Sequence, residues 1–78
     1  MKSRNEKIIE DLGYKKMRDI YYKLVKEGVA ILLSLNSLSY IIDINYLNCC
    51  YNDKLEAESI VKNDIYVFKE RIKKYEKD

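Results

Sequence analysis

The stretch GVAILLSLNSLSYIIDINYLNCCY, Gly28 to Tyr51, decides the fold. Its only charged residue is Asp43, in a chain of 78 residues that holds 15 Lys and Arg and 13 Asp and Glu. A segment so poor in charge must be buried, by flanking helices, by a second copy of the chain or by a partner. Two readings compete. As helix, Met17, Tyr21, Leu24, Gly28, Ile31, Leu35, Leu38 and Ile42 are spaced alternately by four and three, a heptad seam that begins in the preceding segment. As strands, Ala30 to Leu35 and Leu38 to Tyr46 are rich in β-branched and aromatic residues, with Asn36-Ser37 as the turn. The alternation Ile42-Asp43-Ile44-Asn45-Tyr46 fits the second reading. Asn-Ser is a poor hairpin turn, because Ser resists positive φ. Five leucines and the long seam favour helix. The expected fold is all-α: a small helical bundle of three to four helices in a single domain, 1–78, with 28–51 as its apolar inner helix. The alternative is α+β, two helices packed on a β-hairpin.

Outward from this stretch, residues 14–27 read as helix, with Met17, Ile20, Tyr21, Leu24 and Val25 on one face and most of the charge on the other. At the N-terminus, Ser3 followed three residues later by Glu6 predicts a capping box. Ile8, Ile9 and Leu12 form an apolar stripe behind it. The first helix ends near Gly13, and helix is expected to resume at once. On the C-terminal side, Asn52-Asp53 with Glu56 predicts a helix start, and the last helix spans about Lys54 to Tyr75. Its apolar face is Ala57, Val61, Ile65, Phe68, Ile72 and Tyr75, and lysines load its C-terminal end.

Composition narrows the chemistry. The chain has no His, and its two cysteines, Cys49 and Cys50, are adjacent. That spacing neither staples distant segments nor builds a zinc site, so both read as reduced packing thiols of a cytoplasmic protein. No cofactor and no metal is implied. Polar residues interrupt the central stretch, and its longest unbroken apolar run, Val29 to Leu33, is far too short to span a membrane. Lys, Ile, Asn and Tyr abound while Ala, Gly, Pro and Arg are scarce, the usage of an A/T-rich genome such as that of a bacterium, its phages or its plasmids.

Without His, and without a cation beside the cysteines, no nucleophile is activated. The acidic neighbours Glu10-Asp11 and the pair Glu56/Glu58 point to different helix faces. Asp43, alone among apolar residues, is read as a structural or interface group. The segment Ser39-Tyr40-Ile41-Ile42-Asp43 resembles the Ser-x-x-Leu-Asp signature of the small two-helix aspartyl-phosphate phosphatases of bacterial sporulation relays. Tyr-Ile stands where that family has Gln-Glu, so no catalytic role is carried over.

Eight tyrosines are the remaining unusual feature. Tyrosine offers large contact area at low entropic cost and is enriched at interfaces. Tyr22, Tyr40, Tyr46 and Tyr66, with Asp43, are the expected interface residues. The reading is a non-enzymatic protein–protein interaction module, a small regulator or inhibitor that occupies a partner's surface, for instance a phage- or plasmid-borne inhibitor of a host defence nuclease. The partner is another protein, and a homodimer is expected. The first alternative is nucleic-acid binding through Lys15, Lys16, Lys23, Lys69, Lys73 and Lys74, which requires these lysines to converge. The second is a phosphatase-like regulator of a bacterial phosphorelay.

Overall fold

The computed structural model describes residues 3–45 and 51–76. Helix α1 (Arg4–Asp11) is followed by strands β1 (Lys15–Met17), β2 (Ile20–Lys26), β3 (Val29–Ser34) and β4 (Ser39–Ile44), and then by the long helix α2 (Tyr51–Glu76). The strands form one antiparallel meander in the order β1-β2-β3-β4. Both helices lie on one face of it, α2 along β3 and β4 and α1 against α2. The fold is thus α+β, which corrects the expected all-α bundle and agrees with its alternative in class. The sheet has four strands rather than a single hairpin.

The physical reason lies in the outer face of the sheet. Along β3, Val29, Ile31 and Leu33 are fully buried beneath α2, while Ala30, Leu32 and Ser34 on the other face are half-buried. A strand with apolar side chains on both faces reads as a continuous apolar run, and such a run shows no period of two. It satisfies a heptad template by chance. Residues 14–27, also expected as helix, are the β1–β2 hairpin, and the apolar set assigned to one helix face is split between two sheet faces. Tyr21 points into the core, and Leu24 points away from it.

Two turns that carry neither Gly nor Pro explain why the hairpins were hidden. Arg18 takes φ +57° in the β1–β2 turn. In the β3–β4 connection, residues 35–38, it is Leu38 and not Ser37 that takes positive φ, at +54°, and its N–H donates to the Ser34 carbonyl at 2.8 Å. The objection to Asn36-Ser37 as a hairpin turn therefore falls away, because a four-residue loop moves the strained position onto Leu38.

The helix signals fare better. Ser3 caps α1 with the full reciprocal pair: its Oγ accepts from the Glu6 N–H at 3.2 Å, and its own N–H donates to the Glu6 carboxylate. Gly13 follows the C-cap Leu12 at φ +99°, a conformation natural to glycine, and turns the chain into the sheet. Helix does not resume there; Tyr14 leads straight into β1. Helix α2 already includes Tyr51, ahead of the expected Asp53 cap, and the Asp53 carboxylate instead pairs with Lys26 of β2. The core joins Ile8 and Ile9 of α1, Tyr14 and Tyr21, Val29, Ile31 and Leu33, and Ala57, Val61 and Phe68 of α2. Tyr75, expected on the apolar face of α2, is half exposed, with Arg4 stacked over its ring at 4.8 Å.

Candidate interaction face

Strand register fixes what the open face of the sheet presents. Leu32 of β3 lies opposite Tyr22 of β2 on one side and Ile41 of β4 on the other, and Tyr22 lies opposite Lys15 of β1. Ala30 lies opposite Leu24 and Asp43, and Met17 opposite Ile20. Directly opposed residues share a face. The outer face is therefore an apolar field of Met17, Ile20, Tyr22, Leu24, Ala30, Leu32 and Ile41, rimmed by Lys15, Ser34, Ser39 and Asp43. Its central members are half-buried by one another, while Leu24 and Ile41 stand 65% and 66% exposed. Both helices lie on the opposite face, and no described element packs on this one. Water-facing antiparallel sheets ordinarily alternate apolar-in with polar-out. Here both sides are apolar.

The inner face is fixed to α2 by a buried polar cluster. Asp64, 6% exposed, lies on the α2 stripe that also carries Ala57, Val61 and Phe68. Its Oδ2 accepts from the Tyr14 hydroxyl and from the Lys23 ammonium, each at 2.9 Å. Lys23 also sits over the Tyr14 ring, 5.3 Å from its centroid. Burial, reinforced by the bond to Asp64, pushes the Tyr14 hydroxyl far above its usual range. A charged pair so placed is tolerable because Asp64 accepts from both Tyr14 and Lys23, and Lys23 has the Tyr14 ring as a second contact. The cluster acts as a clasp between β2, the α1–β1 connection and α2. The sequence did carry a signal for it: residues 57, 61, 64 and 68 are spaced by four, three and four, and an acidic residue on such a stripe requires a buried partner.

A second polar region lies at the other end of α1. A cleft of about 550 Å³ is lined by Ser3, Glu6, Lys16, Arg18, Asp19 and Tyr21, among others. The backbone N–H of Ser3 and then the Tyr21 hydroxyl, 3.2 Å away, hold the Glu6 carboxyl below its usual range. Its carboxylate is thereby committed to capping, and charges of both signs line the cleft.

The residues expected from sequence are dispersed. Tyr22 lies within the outer apolar face and Asp43 at its rim, where it is exposed and needs no buried partner. Tyr40 is on the inner face and packs against the core. Tyr66 is exposed on α2, the other three being on the sheet. Tyr46, like Cys49 and Cys50, lies outside the described residues. Of the six lysines, Lys15 and Lys16 are neighbours on β1 and point to opposite faces. Lys23 is held by Asp64. Lys69, Lys73 and Lys74 are exposed on α2. No single surface collects all six. Ser39 to Asp43, which resembles a helical phosphatase signature, forms strand β4, with Ser39 and Asp43 on its outer face. Leu24, Leu32 and Ile41 were not singled out from sequence, because apolar residues in a predicted core helix give no sign of exposure.

Among the described residues no three His, Cys, Asp or Glu side chains converge as a metal site, and no helix is long and apolar enough to cross a membrane. Comparison with protein-family models, with curated proteins and with solved structures returns no match.

Proposed function

We propose that this chain is a non-enzymatic interaction module, a small regulator or inhibitor that works by laying the outer face of its sheet on an apolar surface of a partner protein. The observation that carries the reading is the apolar field of Tyr22, Leu24, Leu32 and Ile41, contributed by three adjacent strands and left uncovered by either helix. Contiguous apolar patches with a polar rim mark interaction sites in small proteins. Lys15 on one side of the field and Asp43 on the other supply rim charges of opposite sign, which orient a partner more than they tighten it. The clasp at Asp64 supports the reading from beneath, since it anchors the sheet to α2 and gives the face a fixed shape.

The test is retention of a partner from host extract by the full chain, by Leu24→Lys and by Ser59→Lys, the last an equal charge change on the exposed side of α2. A partner held by the parent chain and by Ser59→Lys but lost with Leu24→Lys is the expected result. Equal retention by all three chains, or no retained protein, overturns the proposal.

A further inference from the structure

We infer that two copies of this chain pair antiparallel along β4, about a two-fold axis through Ile42, to join their sheets into one. The pairing goes beyond the docking face and does not depend on it. β4 is an edge strand of six residues, and no described strand lies beyond it. Edge strands are normally protected by lysine, proline, a bulge or short length. The opposite edge follows that rule: β1 has three residues, two of them lysines, and ends in the Arg18-Asp19 turn. Apart from the single charge of Asp43, β4, SYIIDI, has none of these guards, and it pairs with β3 without a bulge.

The direction of its free backbone groups follows from the ladder. The Asn45 N–H donates to the Gly28 carbonyl at 2.8 Å, one register step beyond the pair Val29–Ile44. Hydrogen-bonded and non-hydrogen-bonded pairs alternate in antiparallel sheet. Residues 39, 41 and 43 therefore direct their N–H and C=O groups to β3, and Tyr40, Ile42 and Ile44 direct theirs to the open edge. A two-fold through Ile42 sets Ile42 against Ile42 of the second copy and Tyr40 against Ile44 of the second copy, so all three open residues are used. Centring on Ile41 leaves Ile44 opposite the Leu38 turn, and centring on Asp43 sets two carboxylates face to face. In the chosen register Asp43 lies opposite Ile41 of the second copy.

The helices permit this approach. α2 runs over β3 and β4, so with strands about 4.8 Å apart the two-fold brings the paired helices to about 10 Å, ordinary helix packing distance. The Lys26–Glu56 ion pair marks the flank of α2 that faces β2; the opposite flank, roughly 100–160° around the helix from Asp64, carries Glu58, Lys62, Ile65 and Lys69, charges of both signs that raise no like-charge barrier.

The experiment is sedimentation of the purified full chain over a wide concentration range, with amide hydrogen exchange read residue by residue. The expected result is a monomer–dimer equilibrium in which the amides of Tyr40, Ile42 and Ile44 gain protection with concentration. Ile41→Glu, at an exposed position, sets a carboxylate opposite Asp43 of the second copy twice per dimer and weakens association about tenfold. Adding Asp43→Lys restores it, because the opposed pair becomes oppositely charged. A monomer at every concentration, a dimer indifferent to Ile41→Glu, or a failure of Asp43→Lys to rescue overturns the proposal. Loss of partner retention in Leu24→Lys, on β2, is read separately, so dimer and docking face stand or fall independently.

Discussion

The Lys23 ammonium on β2 lies 2.9 Å from the Asp64 carboxylate on α2, a pair that joins the apolar sheet to its long helix across 41 residues of chain. Removal of Asp64 leaves the partly buried Lys23 ammonium without its counter-charge. Asp64→Ala is expected to destabilise the fold by about 2–4 kcal/mol, a large part of what a domain of this size possesses. The triple replacement Tyr14→Phe, Lys23→Met and Asp64→Leu removes every polar member together and is expected to recover most of the loss. Urea unfolding of the two variants beside the parent chain measures both.

The same cluster sets an alkaline limit. The Tyr14 hydroxyl is raised by burial and by Asp64, so in the fold it keeps its proton well above pH 10, where an unfolded tyrosine releases it. Above pH 10 the unfolded chain therefore binds fewer protons than the folded one, and stability falls as pH rises. This contribution is complete below pH 10 and declines above it by up to about 1.4 kcal/mol per pH unit. Tyr14→Phe should show a shallower decline above pH 10 in thermal unfolding, although it starts from a lower stability.

Gly13 is required twice over. Its φ of +99° is strained for any L side chain, and a Cβ there would meet Lys23 Cε at 3.3 Å, on a side chain already held by Asp64. Gly13→Ala is expected to cost about 1–2 kcal/mol, visible as a fall in Tm of about 4–15 °C for a domain this small.

The two non-glycine residues at positive φ should respond oppositely to glycine. Arg18 is exposed in its turn, so Arg18→Gly relieves backbone strain and is expected to add about 0.5 kcal/mol after the entropic loss. Leu38 packs against the core, so Leu38→Gly gives up more in burial than it gains in strain and is expected to destabilise. Chemical denaturation of the pair settles the sign of each.

Sequence reading reached the two helices but preferred helix where the sheet lies, with β3 and β4 present only in its α+β alternative, and the residues show why. Ser3, Glu6 and Gly13 act through local hydrogen bonds and φ preference, so their roles were legible before any tertiary contact was known. Apolar residues at two-residue spacing reveal a strand only when the alternate positions are polar, and Ala30, Leu32 and Ile41 are not. Arg18 and Leu38 sit at the turns in place of the glycine or asparagine that would have announced them. The candidate site was hidden for the same reason: of the side chains on the outer face, Leu24 lies on the heptad seam and Leu32 is one of the five leucines of 28–51, and seam and leucines together favoured a core helix. Tyr22 and Asp43 were singled out from sequence because an aromatic beside lysines and a lone acid stand out in any secondary structure.

The most direct measurement of the docking face is site-specific photo-crosslinking in host cells, with a benzophenone side chain at position 24 on the open sheet or at position 59 on the exposed side of α2. Crosslinks to a partner protein from position 24 and none from position 59 are the expected outcome. Crosslinks from position 59 alone, or equal yields from both, would contradict the claim that this chain acts through the uncovered face of its sheet.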